Sequence, residues 1–283
     1  MNSIKKMMLS GALGCLISGM AYADGSSPQP VKPYWQDIQV VAVNKEKPRS
    51  SFMSYADRET ALTSRFEKSP YYSLLNGTWK FFFVDSYKDL PQNITDPSVN
   101  TSSWDDITVP GNWEVQGHGV AIYTNHGYEF KPKNPQPPLL PEANPVGVYR
   151  RDIEIPANWD NRDIYLHIGG AKSGLYVYLN GKEVGYSEDS KNPAEFLINK
   201  YLQPGKNVLT LKIFRWSTGS YLECQDFWRM SGIERDVFLW SQPKASIQDF
   251  RVVSTLDDTY TNVQTGGRLK ESYPRNKKLK CRI

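Results

Sequence analysis

The sequence predicts an all-β protein built as an antiparallel β-sandwich. Three observations carry the prediction. Apolar residues alternate with polar or wider ones at Ile164, Leu166 and Ile168, and again at Leu209, Leu211 and Ile213, the period of a half-buried strand. Asn180-Gly181 stands between two strand-like runs, Leu175 to Leu179 and Val184 to Ser187, and is the strongest short-range hairpin signal because both turn residues need positive φ. Short runs of this kind recur between turn signals such as Pro204-Gly205, and little of the chain has helical periodicity.

Taken from the N-terminus, the first 23 residues read as an export signal. Lys5-Lys6 form a basic start, Met7 to Met20 an apolar run, and Ala21-Tyr22-Ala23 a small-residue cleavage site that puts a mature start near Asp24. This implies a secreted or periplasmic protein. The run is too short and glycine-rich for a stable transmembrane helix. The alternative is lipid anchoring through Cys15, in Ala12-Leu13-Gly14-Cys15. Gly25 to Pro33 is a linker, followed from Tyr34 by an arm without clear periodicity that is expected to lie along another surface; linker and arm together span 24–55. Arg58 to Lys68 is expected to hold a short helix.

From Leu74 the β signals begin. Thr78 to Val84 is short and aromatic, and Asp236 to Trp240 is a further strand. The 8 tryptophans and 17 tyrosines suit pleated, half-buried positions as well as a partner with a small, partly apolar surface such as a sugar ring. Glu129 to Val148 carries Pro132, Pro135, Pro137, Pro138, Pro141 and Pro145 and is expected to be a long stiff loop, either functional or a surface strap.

Composition excludes other classes. The formal net charge of +4 comes from the two ends, Lys5-Lys6 and the basic run from Arg268 to Arg282; without them the body is mildly acidic and gives no reason to expect nucleic acid. The 3 cysteines, Cys15, Cys224 and Cys281, leave no even framework and predict no disulfide. No Cys/His spacing suggests a zinc site.

Several segments, in order, resemble glycoside hydrolase family 2, and within it the large β-galactosidases. They are Tyr34-Trp35 through Asn44 and Pro48; Leu75-Asn76-Gly77-Thr78-Trp79-Lys80-Phe81; Val109-Pro110-Gly111-Asn112-Trp113 with Ile122-Tyr123-Thr124-Asn125; and Asn144 to Arg150. The longest runs from Arg215 to Glu223 and on from Gln225 to Ile233, with Cys224 standing where the family often has Asp. The resemblance covers roughly Trp35 to Phe250. It implies a jelly-roll (galactose-binding-like) sandwich over 56–241 and the start of an immunoglobulin-like sandwich over 242–262. A catalytic TIM barrel would follow in full-length members and supply the two glutamates that cleave the bond. Residues 263–283 resemble nothing that should follow, lack strand alternation, and are expected to be a disordered basic tail. A break in reading frame near Asn262 would produce such a tail; the rival is a genuinely short protein.

The resemblance also implies site residues. Asn125 matches a position that hydrogen-bonds the galactosyl ring. Asp189 matches one that contacts a galactose hydroxyl and helps ligate a sodium ion shared with the barrel. Outside the family both would be ordinary turn residues. No catalytic residue is expected in this chain: Glu188 and Asp189 would point to opposite faces of a strand, and Glu223 and Asp226 match no catalytic position. The expected partners are a β-galactoside and the barrel, or a chain that complements it; full-length members form dimers or tetramers and use sodium and magnesium. The alternatives to a β-galactosidase fragment are a stand-alone carbohydrate-binding module and a purely structural complementing piece. Trp216, Tyr221 and Trp228 are expected in core or interdomain packing ahead of sugar stacking. His118, His126 and His167 show no ligand spacing, with His126 beside Asn125 at the pocket rim.

Overall fold

A computed structural model describes residues 32–131 and 133–272. The export signal, Cys15, Cys281, Pro132 and the last part of the basic tail lie outside the described residues.

The strands are β1 (Ala42–Val43), β2 (Tyr72–Leu74), β3 (Gly77–Val84), β4 (Asp105–Val109), β5 (Gly111–Asn112) and β6 (Ile122–Thr124). They continue with β7 (Val146–Glu154), β8 (Arg162–Ile168), β9 (Ala171–Lys172), β10 (Gly174–Leu179), β11 (Lys182–Ser187) and β12 (Ala194–Leu197). The last six are β13 (Lys206–Phe214), β14 (Phe227–Arg229), β15 (Gly232–Ile233), β16 (Val237–Pro243), β17 (Ser246–Leu256) and β18 (Val263–Ser272). The α-helix α1 (Arg58–Leu62) is capped by the Asp57 carboxylate, which accepts from Thr60 N, and gives the short helix expected there.

A seven-stranded sheet, ordered β1-β11-β10-β13-β7-β3-β4, faces a four-stranded one, ordered β12-β8-β16-β2. The strands of both sheets pair antiparallel, so the sandwich predicted from alternation is the observed fold. Between the sheets lies the main core: Trp79, Phe81, Tyr149, Val177, Leu209 and Leu211 from one, Leu166, Phe196, Val237 and Leu239 from the other.

The larger sheet is also buried on its outer face. Val146, Val148, Tyr176, Tyr186 and Phe214 pack there under Trp35, Ile94 and Trp104. Consecutive residues Val146 to Arg150 of β7 are therefore all buried, odd positions inward and even positions outward. This corrects one expectation. The proline-rich loop ends at Pro145, not Val148, because a strand covered on both faces has no polar alternation to announce it.

The arm supplies much of that cover. Trp35 fills the outer core of the large sheet, β1 pairs with the edge strand β11 (Ala42 opposite Ser187), and Met53 packs on Tyr165, Phe238 and Trp240 outside the small sheet. Over the edge between these points, Arg49 makes a two-pronged bond to the Glu195 carboxylate, both contacts at 3.0 Å.

The hairpin at Asn180-Gly181 forms as expected, with φ of 53° and 77°. A Cβ on Gly181 would also lie 2.9 Å from Pro97 Cδ. Gly181→Val should therefore destabilise the protein by about 2 kcal/mol through the left-handed backbone alone, read as a lowered urea midpoint; an unchanged midpoint would mean that the turn relaxes to another type.

A second correction concerns the tail. Val263–Ser272 is strand β18, which pairs with β17 in a two-stranded ribbon from Leu256↔Val263 to Ser246↔Ser272. The ladder satisfies backbone groups whatever the side-chain pattern, and the chain from Arg251 to Leu256 and from Val263 to Lys270 is exposed, so no buried face imposes alternation.

Candidate functional site

The end of β11 delivers two adjacent carboxylates to opposite destinations. Glu188 turns inward and is buried. It accepts from Tyr186 Oη at 2.7 Å, Thr218 Oγ1 at 2.8 Å and Gly219 N at 2.6 Å. Burial raises its pKa, and these donors partly offset the rise. Asp189 turns outward at φ 80° and is exposed. Both its oxygens accept from Asn192 Nδ2, at 3.0 and 2.9 Å. The two carboxylates do not converge, though for another reason than strand alternation: β11 ends at Ser187, and the left-handed backbone at Asp189 turns them apart.

Asp189 lines a cleft of about 410 Å³ between the arm and the small sheet. Its walls include Lys45, Arg49, Phe52, His167, Glu195 and Phe238. Burial lowers the pKa of Lys45, and the Asp189 charge opposes that shift. Glu195 is the electrostatic centre of the wall. It takes the Arg49 fork, His167 Nδ1 at 2.9 Å and Trp240 Nε1 at 3.0 Å. Burial pushes Glu195 up, but the His167 hydrogen bond and the Arg49 charge outweigh it and hold the carboxyl below its usual range.

Asn125 follows β6, a strand held by β14 with Tyr123 opposite Trp228. It is exposed, and its Oδ1 lies 2.7 Å from His126 Nδ1. Asn125 is not among the residues that line the cleft. The two predicted site residues are linked through the segment Glu223–Arg229. Ser190, next to Asp189, donates from N and Oγ to the Glu223 carboxylate, at 2.8 and 2.6 Å. Arg229, which is buried, donates to the Glu223 carbonyl at 2.9 Å and to the Thr124 carbonyl at 3.5 Å, one residue before Asn125.

The rejected catalytic pair is likewise committed elsewhere. Glu223 holds Ser190, while Asp226 accepts from Tyr123 Oη at 2.7 Å. Trp216 is buried against Phe130, and Tyr221 packs on Tyr128 and Phe130, as expected of packing residues. Trp228 differs: it is exposed, edge-on to Tyr123. Cys224 Sγ lies 3.5 Å from Ser220 O, a contact within its own turn. Among the described residues, no group of three or more His, Cys, Asp or Glu side chains is arranged to hold a metal ion. Sequence reasoning missed Glu195 because its partners Arg49, His167 and Trp240 are remote in the chain, and missed the role of Arg229 because its reach to Thr124 spans 105 residues.

Residues 72–243 match the family model described as "Glycosyl hydrolases family 2, sugar binding domain". The chain belongs to this family. Similar proteins include a beta-galactosidase of Priestia megaterium, 41% identical over 231 residues, which cover 81% of this chain and 22% of that protein. Another is a beta-galactosidase of Psychromonas ingrahamii, 38% identical over 228 residues with 81% and 22% covered. The chain thus spans about a fifth of the length of these family 2 relatives. Among solved structures, a beta-glycosidase from Bacteroides vulgatus aligns over 73% of this chain and 25% of its own, with a TM-score of 0.55 at 22% identity. An uncultured Clostridium beta-glucuronidase aligns over 71% and 33%, with a TM-score of 0.53 at 23% identity. At that identity the likeness speaks for the family 2 sandwich fold. Among the described residues no helix is long and apolar enough to cross a membrane.

Proposed function

We propose that this chain is the sugar-binding N-terminal portion of a β-galactosidase that hydrolyses terminal β-D-galactosides, and that it lends the substrate pocket Asn125 and Asp189 but no catalytic carboxylate. The observation that carries the reading is the outward turn at Asp189. It presents a carboxylate beside a cleft with, among the described residues, one side-chain hydrogen-bond partner, Asn192, so lone pairs are left for sugar hydroxyls. Asn125 adds an amide whose Nδ2 makes no hydrogen bond among the described residues, so its donors can serve a hydroxyl while Oδ1 faces His126. The chain would work with a catalytic barrel carried outside it, in the same protein or a complementing one, and full-length forms would be oligomeric.

Hydrolysis with retention requires two carboxyl groups about 5 Å apart across the scissile bond. The acids nearest this site are engaged with separate partners, Glu188 in the interior, Glu223 on Ser190 and Asp226 on Tyr123, which supports assigning the chemistry to the barrel. Sodium fits the donor present: Asp189 is a hard oxygen ligand. It would supply one ligand, with the remainder drawn from the barrel and the sugar. Sodium would contribute a fixed positive charge near a sugar hydroxyl; the chain's own part is to orient Asp189 through Asn192. Magnesium is proposed for the full enzyme only. Export through residues 1–23 would place the protein in the periplasm or outside the cell.

An open half-site makes hydrogen bonds that water also makes, so the net gain per bond is small. Calorimetry of the isolated chain with galactose is expected to show a Kd weaker than about 1 mM, less than roughly 4 kcal/mol of binding. Saturable submillimolar binding would instead make the chain a self-sufficient carbohydrate module.

A further inference from the structure

Asn125 is the less supported of the two proposed sugar contacts. It is exposed, and the contacts nearest to it are short-range ones within its own turn: Thr124 Oγ1 to His126 O at 2.7 Å and Asn125 Oδ1 to His126 Nδ1 at 2.7 Å. An amide on such a turn has no reason to hold one orientation unless the chain is pinned on either side.

It is pinned by buried charge. Four residues past Asn125 the chain enters the protein at Glu129, whose carboxylate meets Lys172 Nζ at 2.8 Å. The two side chains are only 6% and 4% exposed. Lys172 belongs to β9, which pairs with β15 (Gly232↔Lys172), and β15 pairs in turn with β5. The second carboxylate oxygen of Glu129 lies 3.7 Å from Arg215 Nε. Arg215, just beyond β13, reaches the other side of the turn. Its Nη2 donates to Val120 O at 2.9 Å, ahead of β6, and to Arg229 O at 3.2 Å, on the partner strand β14. Segment 120–129 is thus tied by cations at its start and at its end, and Asn125 stands between the ties.

A buried ion pair is a weak source of stability. Desolvating both charges offsets most of the attraction, and an apolar pair of similar size often serves stability equally well. What an apolar pair lacks is direction: a carboxylate held by an ammonium at 2.8 Å has one place to sit. We infer that the buried Glu129–Lys172–Arg215 cluster is a positioning device, which sets the 120–129 segment so that Asn125 presents its amide to the sugar. The sugar role of Asn125 rests on the function proposed above; the anchoring does not.

The test uses the ¹⁵N-labelled chain. Single variants such as Lys172→Met leave a buried unpaired charge and report mainly on folding, so the decisive variant is the apolar pair Glu129→Leu with Lys172→Met. Its unfolding midpoint is expected to stay within a few degrees of the parent, because buried Arg215 keeps a second carboxylate, Glu114, 3.7 Å from its Nη1. Hydrogen exchange of the Ile122–Thr124 ladder amides should accelerate at least about 10-fold, and the Asn125 side-chain amide resonances should move. Lys172→Arg, which keeps the charge, should restore the parent pattern. An apolar pair that leaves both exchange and the Asn125 resonances unchanged would overturn the positioning role, as would equal acceleration throughout the sandwich. Different assays separate the two ideas: the effect of Asn125→Ala on β-galactoside hydrolysis, in a full-length relative that carries this chain's sandwich, decides the sugar role, while the exchange data on the isolated chain decide the anchoring.

Discussion

Trp35→Ala is expected to be the most damaging single change in the arm, costing about 3–5 kcal/mol. Trp35 is 1% exposed although it lies just after the linker. Its ring stacks on Phe214 at 5.1 Å and meets Tyr87 edge-on at 5.2 Å. The outer face of the large sheet has Val146, Val148, Tyr176 and Tyr186 in the same cluster, so removing the indole opens a cavity over strands already committed to the main core. Nearby Ile38, 56% exposed, offers the control: its replacement by alanine should stay within about 0.5 kcal/mol. Urea unfolding of both variants checks this. A loss below about 1 kcal/mol for Trp35→Ala, the range of a surface site, would show that the arm rests on the sheet without stabilising it.

The second large effect is expected at Glu195→Gln, at about 2–3 kcal/mol near neutral pH. The glutamine can still accept one bond, but it no longer balances Arg49, whose side chain is only 18% exposed, nor the imidazole of His167 stacked on Phe238. The pH dependence carries the sign. Glu195 has a folded pKa below its ordinary value of 4.5. Between that depressed value and 4.5 the unfolded chain binds the extra proton, so its stabilisation is complete above 4.5 and is lost as pH falls through the folded value. Glu188, raised by burial, acts in the opposite sense: its folded form takes up the proton first, so its contribution grows as pH falls through the raised value. The difference between parent and Glu195→Gln isolates the first effect. The gap in unfolding free energy should be widest above pH 4.5 and narrow below it. A gap that stays constant from neutral pH to pH 3 would show that the fork is held by shape alone.

What the sequence made legible follows from where physics is local. Asn180-Gly181 was readable because the turn itself demands positive φ, and β8 because its core-facing residues Ile164, Leu166 and Ile168 alternate with half-exposed ones such as His167. β7 was not, because cover on both faces removes alternation, and the outer cover comes from distant segments: Trp35 of the arm, more than a hundred residues earlier, with Ile94 and Trp104. β18 was not, because an exposed ribbon needs no pattern. Asp189 and Asn125 came from resemblance alone; nothing in their neighbourhoods separates them from turn residues. The groups that hold them are remote in the chain: Ser190 and Glu223 are 33 residues apart, Glu129 and Lys172 are 43 apart. Such pairings leave no short-range signature, and a buried lysine is, residue by residue, the least expected of core components.

Whether Asp189 and Asn125 touch substrate is measured most directly by a segment exchange. The N-terminal segment of a full-length β-galactosidase relative is replaced by this chain's sandwich, and hydrolysis of a β-galactoside is followed with and without Asp189→Ala and Asn125→Ala. The exchanged enzyme should be active, and each substitution should lower kcat/KM roughly 10- to 100-fold, the worth of one hydrogen bond to a charged or buried partner. An active exchanged enzyme that is indifferent to both substitutions would contradict the assignment of these residues to the pocket.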